Sequence, residues 1–184
     1  MRTITFIALF SLFNFFSLTA QVKIDSTELF PFVPTDHEIL GFKYGDLNKD
    51  ALKNDVILAL KRKDESNSDA DRPLLLLTRK KNGSLQLERW NNTLVMCQAC
   101  GGIYGDPFSG LAIKNGYFSV EHYGGSNWRW FDVTTFKYDT TKKEWFLHQL
   151  GTETYHTSKP DEVQKEIKRR EDFGEVRFSE YGRN

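Results

Sequence analysis

Residues 54–90 read "NDVILALKRKDESNSDADRPLLLLTRKKNGSLQLERW". Two apolar runs stand out, Val56–Leu60 and Leu74–Leu77, each four or five residues long and bounded by polar clusters. Runs that short are strand-sized rather than helix-sized. Their lack of alternation marks strands covered on both faces. Between them, 64–73 is a polar connection. After the second run, Lys81-Asn82-Gly83-Ser84 precedes "LQLERW", where Leu85 and Leu87 alternate with Gln86 and Glu88. Asn-Gly between two such runs is a strong hairpin signal, because both turn residues can take positive φ. The stretch therefore predicts consecutive antiparallel strands.

The same grammar extends along the chain. Asn115-Gly116 separates two strand-like runs, and Thr140-Thr141-Lys142-Lys143 makes a turn between "WRWFDVTTFKYD" and "EWFLHQL". Turns at such short intervals predict a mainly β, antiparallel meander: a sandwich, a barrel or a blade-like sheet. One segment reads differently. In 159–171, Ser158 and Asp161 resemble a capping box, Pro160 falls in a first turn, and Val163 and Ile167 are four apart. That pattern predicts a short C-terminal helix, followed by "EVRFSEY" as a closing edge strand. Pro31 and Pro34 make 21–36 an extended lead-in. No linker divides 37–184, which is expected to fold as a single β-rich domain.

The first twenty residues carry Arg2, an apolar run and a small residue at Ala20, the features of a secretory signal peptide. Cleavage there predicts a secreted or periplasmic protein with no membrane span in its mature part. No cysteine follows the cut to carry a lipid anchor. Without Arg2 the chain has 24 basic and 25 acidic residues, a net charge of −1. A balanced surface gives no electrostatic footprint for nucleic acid.

Export bears on Cys97 and Cys100, the only two cysteines. In an oxidising compartment an even count predicts a disulfide, here a clip on a glycine-rich loop that holds Asp106. Two other chemistries use this spacing. A redox CxxC sits at a helix N-terminus, which Gly101-Gly102 and Asp106-Pro107 oppose. Zinc needs four ligands, and His122 and His148 fit no familiar spacing.

Asp46, Asn48 and Asp50 alternate along "GDLNKDALKNDVILAL", with Asn54 and Asp55 just before the strand. Alternating oxygen ligands suit Ca²⁺, which takes six to eight oxygens. A polar turn bonding its own backbone would use the same residues without metal. The segment resembles one element of the FG-GAP, integrin-type repeats, with Ala51 where that pattern has its turn glycine and the later acid one place late. The resemblance implies Ca²⁺ in a structural role at Asp46, Asn48, Asp50, Asn54 and Asp55.

The aromatic stretch "EHYGGSNWRWF", 121–131, is the candidate binding surface. Strand periodicity puts Trp128 and Trp130 on one face and Arg129 and Phe131 on the other. The bland reading makes the tryptophans core. The functional reading is an aromatic platform for a small ligand, a glycan or a protein, with Asp106, Glu121, His122, Tyr123, Asn127 and Arg129 around Trp128 and Trp130. No catalytic constellation is evident, since Glu121 and His122 are neighbours on a strand and point to opposite faces. His37, His148 and His156 stand alone. The expected function is an exported binding or envelope-associated module. Two alternatives are a hydrolase or redox enzyme using Asp106, His122, Arg129 or the CxxC pair, and a protein-interaction or inhibitor domain. In the order of its elements over roughly 40–150, the chain also resembles a group of small exported bacterial proteins of unassigned function. That resemblance implies export and one β domain.

Overall fold

The computed structural model describes residues 26–52, 54–64 and 69–182, so the expected signal peptide lies outside the described residues. Among the described residues, nine strands form two antiparallel sheets, each a meander in chain order. The first sheet holds β1 (His37–Gly45), β2 (Asp55–Arg62), β3 (Arg72–Arg79) and β4 (Leu85–Val95). The second holds β5 (Phe108–Lys114), β6 (Tyr117–Gly125), β7 (Trp128–Asp139), β8 (Glu144–His156) and β9 (Lys159–Arg169).

The apolar runs of β2 and β3 form the centre of the first sheet and are buried on both faces. Ile57, Ala59, Leu74 and Leu76 face the second sheet, where they meet Phe118, Val120, Phe136, Trp145 and Leu147. Val56, Leu58, Leu60, Leu75 and Leu77 point the other way and are covered around Leu29. Leu29 comes from a 3₁₀ helix, Ser26–Phe32, which replaces the extended lead-in expected there. Pro31 fixes a φ that this tight helix accepts. Glu28 anchors the helix by accepting from Tyr44 Oη at 2.8 Å and from both terminal nitrogens of Arg79 at 2.7 and 2.9 Å.

The turns follow the sequence. Asn115 and Gly116 have φ of 52° and 75°, the doubly positive geometry that joins β5 to β6 in register with sheet twist. Gly83 closes the β3–β4 hairpin at φ 86°.

The helix expected near 159–171 is instead strand over Lys159–Arg169, and the helix shrinks to Arg170–Phe173. A spacing of four fits a strand as well as a helix, because four is a multiple of the strand period. Val163 and Ile167 thus share a face either way. Pairing to β8 decided the matter, aided by Lys165 Nζ to Glu153 Oε1 at 2.6 Å. Pro160 sits in an edge strand, where a missing N–H is tolerated.

The expected closing strand is a 3₁₀ turn, Phe178–Glu180, whose lead-in joins β8 through the isolated Phe146–Arg177 bridge and the Leu147 amide bonded to the Val176 carbonyl. Phe178 is fully buried and stands edge-on to Phe118 and Phe136, with ring centroids 5.4 Å away from each. Asn91 Nδ2 fastens this plug by donating to the carbonyls of Phe178 and Tyr181, both at 2.8 Å. Truncating a buried phenylalanine costs about 3–5 kcal/mol. Phe178→Ala should therefore lower the urea unfolding free energy by about that amount, whereas an end strand contributing only a surface ladder would lose far less.

Candidate functional site

The CxxC loop and the far end of the second sheet meet at one edge of the molecule. Cys97 and Cys100 are joined, with S–S 2.09 Å. The loop is pinned by Gly101 N to Gly105 O at 2.8 Å, and Gly125 N to Gly101 O at 3.0 Å ties it to the end of β6. A side chain at Gly124 would strike the Trp130 ring and the Gly101 backbone, which explains glycine at this crossing.

Two residues expected at the binding surface serve as anchors for this loop. Asp106 takes two hydrogen bonds from Arg72, both at 2.7 Å, and also accepts from the Phe108 amide. Arg72 is buried at the head of β3 and also donates to the Met96 carbonyl. Burial pushes the Asp106 carboxyl upward, but the Arg72 and Phe108 hydrogen bonds outweigh it and hold it below the usual range. His122 is fully buried, and its Nε2 accepts from the Met96 amide at 3.1 Å. It faces the core beside Phe108 and drops out of the ligand set. Arg129 lies 4.2 Å over the Tyr104 ring and donates to the Gly125 carbonyl. Asp106, His122 and Arg129 are thus committed to three separate partners rather than to a shared groove.

The loop displays Ile103 and Tyr104, both strongly exposed. Tyr104 leans on Tyr123 at 5.5 Å, and Tyr123 Oη meets Tyr155 Oη at 3.0 Å. With Arg129 these tyrosines lie on the outer face of the second sheet, the face that also carries Glu121. Trp130 is half-buried over Gly124.

Trp128 is different. It is 56% exposed at the start of β7, with its ring 5.2 Å from that of His156. Together with Lys159, Glu162 and Gln164 the two rings line a cavity of about 240 Å³. Lys159 Nζ bridges to Glu162 Oε1 at 3.0 Å, and His156 Nδ1 to Ser158 Oγ at 2.7 Å. Asn127 borders this end, its backbone carbonyl accepting from Thr157 N. Glu162 and Gln164 escape sequence reasoning because 159–171 reads there as helix, which removes them from the neighbourhood of Trp128, and His156, read as standing alone, meets Trp128 only through the β7–β8 pairing. A second, apolar depression of about 350 Å³ lies on the first sheet, lined chiefly by Phe32, Pro34, Leu75, Leu87 and Trp90.

At the opposite side of the domain, the β1–β2 loop gathers carboxylates. One oxygen each of Asp46, Asp50 and Asp55 lies within 4.8 Å of the others, a group that could hold a metal ion. Ala51 takes φ 69°, so the chain makes its bend although the glycine is missing. Asn48 Oδ1 accepts from Asp50 N, and its Nδ2 donates to Asp50 Oδ2. Asn54 Oδ1 is a buried side-chain oxygen with no hydrogen-bond partner among the described residues. Asp55 is fully buried and accepts from Leu47 N and Arg79 N. Burial pushes its carboxyl up to about 6; the two amides oppose this, and the charges of Asp50 and Asp46 add to it.

A comparison with protein-family models, curated proteins and solved structures returns no match. Among the described residues, no helix is long and apolar enough to cross a membrane.

The Asp55 environment has a measurable sign. A carboxyl whose folded pKa of about 6 exceeds the ordinary aspartate value of 3.8 binds more protons folded than unfolded between those values. Its contribution to stability therefore falls as pH rises through that window and stays low above it. The Asp55 carboxyl carbon should titrate near 6 by NMR in chelator-treated protein, well above the Asp36 and Asp139 carboxyls, which are both held low.

Proposed function

We propose that this is an exported binding module that holds a hydroxyl-rich ligand, a glycan unit, against Trp128. The observation that carries the reading is the exposed indole set in a small cavity with polar walls. Sugars present an apolar ring face and a rim of hydroxyls. An indole meets the first by stacking, while Glu162, Gln164 and Lys159 offer acceptors and donors to the second. The cavity is below the ~300 Å³ floor of drug-sized sites, which suits one ring of a longer chain. His156 backs the indole and fixes its tilt.

The catalytic alternative has less support. A hydrolytic site asks for convergent titratable groups in a pocket, and Asp106 and His122 are spent holding the disulfide loop. The protein-interaction alternative draws on the apolar depression around Trp90. Large exposed apolar surface is costly without a partner.

Binding can be read by tryptophan fluorescence against a panel of neutral and amino-sugar oligosaccharides. Trp128→Ala should lower affinity for the bound member at least 100-fold with an unchanged unfolding midpoint, because the side chain is largely solvent-exposed. If no oligosaccharide binds, or if Trp90→Ala abolishes binding while Trp128→Ala does not, the glycan assignment fails.

We further propose that the β1–β2 loop binds Ca²⁺ in a structural role, as its likeness to the FG-GAP element implies. Its support is chemical. The three carboxylates would share one cation rather than repel, and Asn54 supplies an oxygen that has no protein partner. Hard oxygen donors suit Ca²⁺. Calorimetry of chelator-stripped protein should detect Ca²⁺ binding that Asp50→Ala removes. The gain in melting temperature on adding Ca²⁺ should be larger at pH 7 than at pH 5, where Asp55 holds its proton.

A further inference from the structure

Among the described residues, strand β9 is the free edge of the second sheet, and all eleven of its residues are exposed. An edge this long presents unpaired backbone groups that invite another strand. Two hydrogen bonds tell which groups face outward. Thr157 N donates to Asn127 O, so the odd-numbered residues of β8 bond toward β7 and the even-numbered ones toward β9. The even-numbered residues of β9 answer them, through Leu150–Lys168, Thr152–Glu166 and Thr154–Gln164. The Arg169 amide agrees, since it turns away from β8 to donate to Asp172 Oδ2 at 2.7 Å. The backbone groups of Val163, Lys165 and Ile167 therefore point out of the sheet.

We propose that β9 pairs with β9 of a second copy, antiparallel about a two-fold axis through Lys165, joining the two five-stranded sheets into one continuous sheet. Geometry admits few registers. In an antiparallel ladder, facing residues must both bond across the pair or both turn away. A residue can then face only one of its own parity, which also keeps the outer faces of the two sheets on one side.

Among those registers the charges choose. Centring on Gln164 would set Lys159 against Arg169 and Glu162 against Glu166. Centring on Glu166 puts two glutamates on the axis. Centring on Lys165 sets Asp161 against Arg169 and Glu162 against Lys168, twice each, and Val163 against Ile167. The two axial lysines are each paired with Glu153 of their own chain at 2.6 Å. The β8 register shifts between Thr154 and His156, so Asp161, Glu162 and Val163 lie beyond Thr154–Gln164, the last regular pair of the β8 ladder. Val163 and Ile167, 40% and 54% exposed, would be covered together. They lie on the face of Phe131, Val133 and Tyr155, which would run on across the axis. Glu162 also lines the Trp128 cavity and pairs with Lys159 of its own chain, and Lys168 pairs with Glu166, so Asp161 and Arg169 carry the choice of register.

Sedimentation of the mature chain should give a dimer mass. Amide exchange should protect Val163, Lys165 and Ile167 at concentrations where the dimer forms and release them on dilution, while Gln164, Glu166 and Lys168 stay protected throughout. Asp161→Arg should weaken dimerisation at least tenfold, and adding Arg169→Asp should restore it, because the swapped charges face each other again. A monomer mass with unprotected odd-numbered amides overturns the proposal. So does protection at monomer mass, which would place another segment of the same chain on the edge. A dimer indifferent to the charge swap would place its interface elsewhere.

Discussion

Strands β2 and β3 are apolar on both faces, and a sheet built on them cannot leave either face in water. That constraint orders the rest of the domain. One face is closed by the second sheet, whose Phe118, Phe136 and Trp145 fill the space between layers. The other is closed by the short helix that carries Leu29. The 3₁₀ turn Phe178–Glu180 inserts Phe178 beside Phe118 and Phe136, so it completes the interlayer core. Burying apolar surface of this extent supplies the main driving force for folding. The polar groups must then be satisfied at the seams.

The seams are where the sequence's most chemical-looking residues went. Arg72 reaches Asp106, Arg89 reaches Glu144, Asn91 reaches the C-terminal turn, and Trp145 Nε1 donates to the Leu47 carbonyl. Each joins elements distant in sequence, and the hydrogen bonds of Arg72 and Asn91 satisfy buried polar groups that would otherwise destabilise the core. Asp106 and His122 belong to this set. Their work is to hold the disulfide loop against β3 and β6, and what the loop shows to solvent is Ile103 and Tyr104 instead.

The meander was legible because its signals are local. Asn82-Gly83 and Asn115-Gly116 encode turn geometry within two residues, and an uninterrupted Val56–Leu60 run needs cover on both faces wherever it lies. The roles of Asp106 and His122 were not legible, because their partners Arg72 and Met96 stand 34 and 26 residues earlier. β9 failed for a subtler reason. Its apolar residues recur every four positions, a spacing shared by helix and strand, and Ser158-Lys159-Pro160-Asp161 suits a cap as well as a hairpin. Only the offer of β8 as a ladder partner separates the two, and that offer is tertiary. With β9 misplaced, the walls of the Trp128 cavity were invisible too.

The acidic loop joins these threads. Its residues do not merely decorate a turn: the Asp46 carbonyl accepts from Gly116 N at 3.0 Å, and Leu47 is buried in the interlayer core. The loop therefore touches the β5–β6 hairpin and the core at once. Asp55 binds it from below through the Leu47 amide while also holding Arg79. At neutral pH that arrangement places a buried carboxylate near two others, and the two amide donors offset only part of the cost. A cation shared by Asp46, Asp50 and Asp55 would reverse the sign of that electrostatic contribution. Its effect would spread beyond the loop, since stiffening Asp46 and Leu47 stiffens the contact between the sheets. Occupancy and interlayer packing would then be linked, each favouring the other by the same free energy.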